Sequence, residues 1–264
     1  GKLVILDAGS GLRALGVELM KEFGKKALDI TLLLTHTHWD HIQGFPFFAA
    51  AYNPKNKVRV LGYEGSSKCI ETCFSVQMEN PFFPIRLTQM PGNLNFELQE
   101  EMQFELGDVK VFAHFTNHPG VTVAYRIESG KSKVIYMPDH EAYSRMRLHS
   151  AKAPEAVAEV ASFSQAEEDR LQTFLQGADV LIMDSQYTPE EYESHIGWGH
   201  SCFEDSVSTA IKAGIKKFFL FHHDPTHSDE AISRMVARAR KLVTEHNSDL
   251  IVESAREGMN FEFD

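Results

Sequence analysis

The chain has 264 residues, 43% of them hydrophobic, enough for a sizeable buried core, and its formal net charge of −11 disfavours binding along a nucleic-acid backbone. No apolar run approaches the roughly 18 to 20 residues of a membrane helix, no signal peptide is visible, and Cys69, Cys73 and Cys202 form no disulfide framework. Long nucleic acid and membrane are thus excluded as expected partners, a reducing cytoplasmic compartment is expected, and a homodimer is left open.

Short β-branched or aromatic runs bounded by Gly, Pro or charge predict strands over 2–7, 29–35, 57–62, 109–115, 121–127, 133–137, 179–184 and 217–222. Helical patterns fall between them at 10–23, 65–79, 154–176, 203–213 and 228–246. Helices and strands therefore alternate in part. The run from 109 to 137 breaks the alternation, because three strands joined by the short turns NHPG and ESGKS must pair antiparallel. Two packed sheets with outer helices satisfy both halves of the pattern. No repeat, low-complexity tract or linker marks a second domain, so residues 1–264 are read as a single domain. The stretch 140–157 is read as an excursion over the surface.

The segment LTHTHWDHIQG, residues 34–44, places His36, His38, Asp40 and His41 between a buried strand and an expected helix beginning at IQGFPFF. Metal ligands must converge from a rigid support to within about 2.0 to 2.2 Å of the ion, and a strand end supplies one. Alternation puts His36 and His38 on one side of the backbone, while Asp40 and His41 reach a second point. Two neighbouring divalent ions fit this pattern better than one, with zinc expected and manganese or iron as alternatives.

This turn resembles the signature of the metallo-β-lactamase superfamily, and the resemblance runs along nearly the whole chain. It implies an α/β (α+β) fold, a four-layer αββα sandwich with a binuclear metal site at one edge of the sheets. VILDAGSGLRALG, residues 4–16, is similar to the first motif of that superfamily, with Asp7 bracing the histidine turn and Gly9 and Gly11 permitting a tight bend. By the same resemblance His118 in TNHPG is the third histidine ligand, Asp139 in YMPDHE bridges both ions, and His222 in FLFHHDP is the final ligand. One ion would then take His36, His38, His118 and Asp139, the other Asp40, His41, Asp139 and His222. His140, His223 and His227 flank ligands and are read as supporting or surface groups; His114, His149, His195 and His246 are read as structural.

Flavodiiron members carry Glu where this chain has His38, and β-lactamase members a Cys where it has Asp139. The segment 177–225 is instead similar to the ribonuclease Z and cyclic phosphodiesterase branch, whose paired acid and histidine correspond to Asp184 and His200. A histidine hydrogen-bonded to a carboxylate suits protonation of a departing alkoxide. The residue after His200, Ser201, is also read as a helix cap. Trp198 and Tyr187 fit either a wall for a planar base or ordinary packing, and Cys69 with Cys73 is read as packing on one helix face. The resemblance implies a gripping arm in ribonuclease Z, for which the interval between His118 and Asp139 leaves no space. The expected activity is therefore metal-dependent hydrolysis of a small cyclic phosphodiester, with catalytic roles for His200, Asp184 and Asp40. A thioester or lactone hydrolase on the same metals and a metal-bound ligand-sensing module are the alternatives.

Overall fold

The computed structural model describes residues 2–24, 26–63, 70–146 and 154–263. The chain divides into two compact units, residues 1–101 and 102–264, each with its own sheet.

The first unit is built on four parallel strands in the order β1 (Lys2–Leu6), β2 (Asp29–Leu33), β3 (Lys57–Gly62) and β4 (Asn93–Leu98). The crossovers contain α1 (Gly11–Phe23), the single turn α2 (Trp39–Ile42) and α3 (Ile70–Gln77). Helix α1 buries Leu12, Gly16 and Leu19, at helical spacing, in a core with Ile30, Leu32, Phe45, Phe48 and Phe74. The helix expected after His41 is only that one turn. Gly44 and Pro46 follow, and the chain continues as two 3-10 turns, Phe45–Phe47 and Ala49–Tyr52.

The second unit is a seven-stranded sheet in the order β11-β10-β9-β8-β7-β6-β5. Strands β5 (Gln103–Leu106), β6 (Val109–Phe115), β7 (Val123–Ser129) and β8 (Ser132–Met137) are antiparallel, for β6 to β8 as the turn lengths required. Strands β9 (Val180–Asp184), β10 (Lys217–Phe221) and β11 (Ile251–Ser254) run parallel to β8. Helices α4 (Pro154–Leu175), α6 (Phe203–Lys212) and α7 (Asp229–Glu245) bury Leu171, Val207 and Met235 with Leu181, Phe218 and Leu220, and α5 (Pro189–Tyr192) is a single turn. No helix among the described residues is long and apolar enough to cross a membrane.

The strands not expected from the sequence are β4, β5 and β11. Each lies at a sheet edge, where only one flank is paired and the apolar run is short or interrupted. Cys69, His149 and the start of the helix expected at 65–79 lie outside the described residues, as does 147–153 of the expected surface excursion. The beginning of that excursion is not at the surface, since His140, Glu141, Ala142 and Tyr143 are all buried.

Backbone bonds join the end of β1 to the histidine turn: Asp7 N–H donates to Leu33 O at 2.9 Å, Ala8 N–H to His41 O at 2.8 Å and Gly44 N–H to Ala8 O at 2.8 Å. A Cβ on Gly44 would lie 1.9 Å from Gly9 O, and one on Gly9 would lie 2.6 Å from Asp40 O. Gly9 is thus required by close backbone approach rather than by a tight bend. Gly11 opens α1 with nothing within 4 Å of an added Cβ, so the expected need for glycine there does not hold. In chemical denaturation, Gly44→Ala should cost about 3 kcal/mol, the upper end of overpacking against backbone. Gly11→Ala should be neutral or stabilise by up to about 1 kcal/mol. Equal stabilities for the two variants would contradict this account of the turn.

Candidate active site

Asp7 stands at the end of β1 with a positive φ of 58°, a conformation that Asp tolerates better than most residues. Its buried carboxylate accepts the Thr35 amide at 2.7 Å on Oδ1 and the Thr35 hydroxyl at 2.8 Å on Oδ2. His41 Nδ1–H donates to Oδ2 at 2.8 Å. An imidazole that gives Nδ1–H to a carboxylate keeps its Nε2 lone pair for a cation. His41 Nε2 lies 3.2 Å from Asp40 Oδ2, so these two donors share one point.

The Thr35 hydroxyl lies 3.1 Å from His36 Nδ1, leaving His36 Nε2 to face His38 Nδ1 at 2.9 Å. The rings of His36 and His38 meet edge to face, with centroids 4.4 Å apart. Two imidazole nitrogens converging from different planes are the arrangement a divalent ion requires. Trp39, between the ligand candidates, is exposed.

In the second unit β6, β8, β9 and β10 share one direction, so their carboxyl ends lie along one sheet edge. His118 follows β6, Asp139 follows β8, Asp184 ends β9 and His222 follows β10. His118 donates Nδ1–H to Gly199 O at 2.9 Å, which turns Nε2 toward Asp139 Oδ2 at 3.5 Å. The other oxygen, Asp139 Oδ1, lies 3.8 Å from His222 Nε2. One carboxylate thus addresses two imidazoles with separate oxygens, as a bridging ligand does. His222 has a positive φ of 57°, a strained setting for a histidine that occurs here directly after a strand end. The donor set of each unit fits a divalent ion, through hard carboxylate oxygen and borderline imidazole nitrogen.

Asp184 is fully buried. Its Oδ2 accepts His200 Nδ1–H at 2.8 Å and His140 N–H at 3.2 Å, and its Oδ1 accepts Gln186 N–H at 3.0 Å. His200 Nε2 is left on the far side of the ring. The His200 ring stacks on His222 at 4.7 Å and 14°, and Asp139, His200 and His222 each offer a ligand atom within 4.8 Å of the others. His200 therefore stands face to face with His222 beside the ligand candidates, with its Nδ1 committed to Asp184.

Burial, with smaller contributions from His114 and His118, pushes the pKa of His140 down to about 3, so its ring stays neutral while its Nδ1 accepts Asn117 N–H at 3.2 Å. His140 is therefore a support rather than a surface group. Burial likewise lowers His223, and His227 Nε2 bonds Glu191 Oε1 at 2.9 Å. The expected Ser201 cap is not formed: Cys202 occupies the cap position of α6, and the Ser201 hydroxyl donates to His140 O. Tyr187 is buried and stacked on His195 at 4.4 Å, which is packing, whereas Trp198 is 60% exposed.

Sequence reasoning missed Glu141. Its buried carboxylate accepts the Tyr192 hydroxyl and the amides of Gly197 at 2.8 Å and Gly199 at 3.0 Å. The available signal was its place directly after Asp139 and His140 combined with two glycines around Trp198.

Comparison with known proteins matches residues 3–223 to the family described as the Beta-lactamase superfamily domain. Ribonuclease Z of Ignicoccus hospitalis is 22% identical over 260 residues, which cover 90% of this chain and 83% of that protein. Among solved structures, the metallo-beta-lactamase fold protein YhfI of Bacillus subtilis superposes with TM-score 0.64 at 16% identity, covering 97% of this chain and 85% of that one. A diphosphatase of the PhnP family gives TM-score 0.61 at 18% identity, covering 100% and 81%. These likenesses show the fold, the α/β metallo-β-lactamase type expected from the histidine turn.

Replacing Asp7 by Asn should keep the fold, since Asn also tolerates positive φ, but should remove the acceptor that orients His41. Zinc affinity, measured by competition with a chromophoric chelator, should fall about 10- to 100-fold. Unchanged affinity would reduce Asp7 to a strand-end brace.

Proposed function

We propose that this chain, which belongs to the beta-lactamase superfamily and is a metal-dependent hydrolase, cleaves a small cyclic phosphodiester such as a cyclic nucleotide or a ribose cyclic phosphate. The observation that carries this reading is the bond between His200 Nδ1 and buried Asp184 at 2.8 Å, beside Asp139 and His222. Attack on a phosphodiester breaks a P–O bond and expels a poorly stabilised alkoxide, and an imidazolium held by a carboxylate is suited to protonate it.

The metal ligands follow from the donor sets of the two units. His36, His38, His118 and Asp139 would hold one divalent ion, and Asp40, His41, Asp139 and His222 the other, with zinc as the proposed ion and manganese or iron as alternatives. Each unit carries only part of this set, and the family match runs through both, which supports one hydrolase domain over 1–264. Bound there, the ions would supply Lewis acidity toward a phosphoryl oxygen and a water made nucleophilic at neutral pH. Asp184 holds the His200 tautomer with its proton on Nδ1, and protonation at Nε2 makes His200 the acid that delivers a proton to the leaving oxygen. Asp40, half exposed beside His41 Nε2, would accept a proton from attacking water as well as bind metal.

A small substrate is favoured over a long nucleic acid by the net charge of −11 and by residues 119–138, which are occupied by the β7–β8 hairpin and its approach. A second reading, a ribonuclease, is favoured by the relatives named Ribonuclease Z. A panel of a ribose cyclic phosphate, bis(p-nitrophenyl) phosphate, a structured RNA, a thioester and an acyl lactone separates these readings and the hydrolase rivals. The phosphodiesters should turn over fastest, and preference for the thioester or lactone would reject the proposal. Turnover of any substrate would dispose of a purely ligand-sensing role.

His200→Ala should lower turnover of the cyclic phosphate by about 10²- to 10⁴-fold at unchanged metal content by elemental analysis. Loss of metal instead would make His200 a ligand. Asp139→Ala should empty or halve the metal content; full occupancy in that variant would contradict the bridging assignment.

A further inference from the structure

Among the described residues of the second unit, the buried carboxylate of Glu141 bonds neither the metal donors nor His200, yet the residue's partners Asn117 and Gly199 directly precede His118 and His200. Its two oxygens divide between two glycines: Oε1 takes the Gly197 amide and Oε2 the Gly199 amide. Both glycines have positive φ, 84° and 87°. Their amides therefore point toward one acceptor across the Trp198 turn, a small nest that favours an anion. The Tyr192 hydroxyl donates to the same carboxylate, and burial together with that bond pushes the Tyr192 pKa well above the usual phenol range, so the hydroxyl stays a donor. Arg145 sits over the Tyr192 ring at 5.1 Å and is held by Asp205 through bonds of 2.8 and 3.0 Å.

Glu141 is anchored from behind as well. Its N–H donates to Asn117 O at 2.9 Å, and Asn117 Nδ2 donates to Glu141 O at 2.9 Å. Gly199 then accepts His118 Nδ1–H through its carbonyl, and an added Cβ there would lie 2.6 Å from His118 Nδ1. The residue after Gly199 is His200. Glu141, on the loop carrying Asp139, thus joins the loop of His118 through its backbone and the loop of His200 through its side chain.

We propose that Glu141 is the positioning residue of this site: by holding the amides of Gly197 and Gly199 it sets segment 197–200 so that His200 meets the leaving oxygen. This rests on the reading of His200 as general acid. A glutamine keeps the shape but offers a donor where Gly199 N–H needs an acceptor, so the segment shifts. A displacement of about 1 Å in a catalytic group can cost about 10²-fold in rate.

The test is the dependence of kcat/KM on leaving group across aryl methyl phosphodiesters of graded phenol acidity, measured on the metal-loaded full chain. The parent protein should show a shallow dependence, because His200 assists the poor leaving groups. His200→Ala should show a steep one. Glu141→Gln should also steepen it, losing about 10²-fold on the poorest leaving group and much less on the best, with metal content equal to the parent's. Combining the two substitutions should give no steeper dependence than His200→Ala alone. Tyr192→Phe, which keeps the ring and removes one donor to Glu141, should shift the dependence in the same direction by a smaller factor and serves if Glu141→Gln does not fold. A uniform loss across the series in Glu141→Gln, or a loss that follows metal content, overturns the inference while leaving the His200 reading intact. A shallow dependence in His200→Ala, or a parent protein that cleaves none of the series, overturns both.

Discussion

The buried carboxylate of Asp7 is the constraint on which the histidine turn depends. It sits between the ends of two adjacent parallel strands and takes the Thr35 amide, the Thr35 hydroxyl and the His41 ring in one place. Such a group is costly to bury without full hydrogen bonding, so its presence rigidifies the backbone that satisfies it. The same bonds decide which nitrogen each imidazole presents: Thr35 lies against His36 Nδ1, and Asp7 occupies His41 Nδ1. The orientation of the donors is therefore established by protein contacts before any cation arrives. Gly9 and Gly44 make this possible, because only backbones without side chains can approach as closely as these do.

The second unit repeats the logic with different parts. Strands running in one direction deliver their last residues to one edge, where short loops can bring side chains together without distorting the sheet. His118 is turned by a carbonyl, His200 by a carboxylate, and Asp139 presents an oxygen to each of two histidines. Ser201 and Ser206 bond to the carbonyls of His140 and Asp184, tying the start of α6 to the same edge. His200, Asp184 and the donors of this unit are thus supported by a shared set of loops, into which Glu141 is also bonded.

The central strands and the long helices were legible in the sequence because a buried strand is a continuous apolar run and an amphipathic helix repeats every three to four residues. Strand β3 and strand β6 match the expected limits, while the edge strands β4, β5 and β11 carry too little burial to leave such a pattern. The histidine turn was legible because its donors are contiguous. Separate donors such as His118, Asp139 and His222 could be picked out only through resemblance, since no local spacing links loops that meet through sheet topology. Glu141 and the real task of Ser201 were illegible for the same reason: their partners lie on loops distant in sequence.

The central claim is that these donors together hold a pair of cations. Anomalous diffraction from crystals grown with zinc or manganese tests it most directly. Two peaks per chain, about 3.5 to 4 Å apart and bridged by Asp139, with His36, His38 and His118 at one and Asp40, His41 and His222 at the other, are the predicted result. No peak at these residues, or a single ion bound without Asp139, would contradict it.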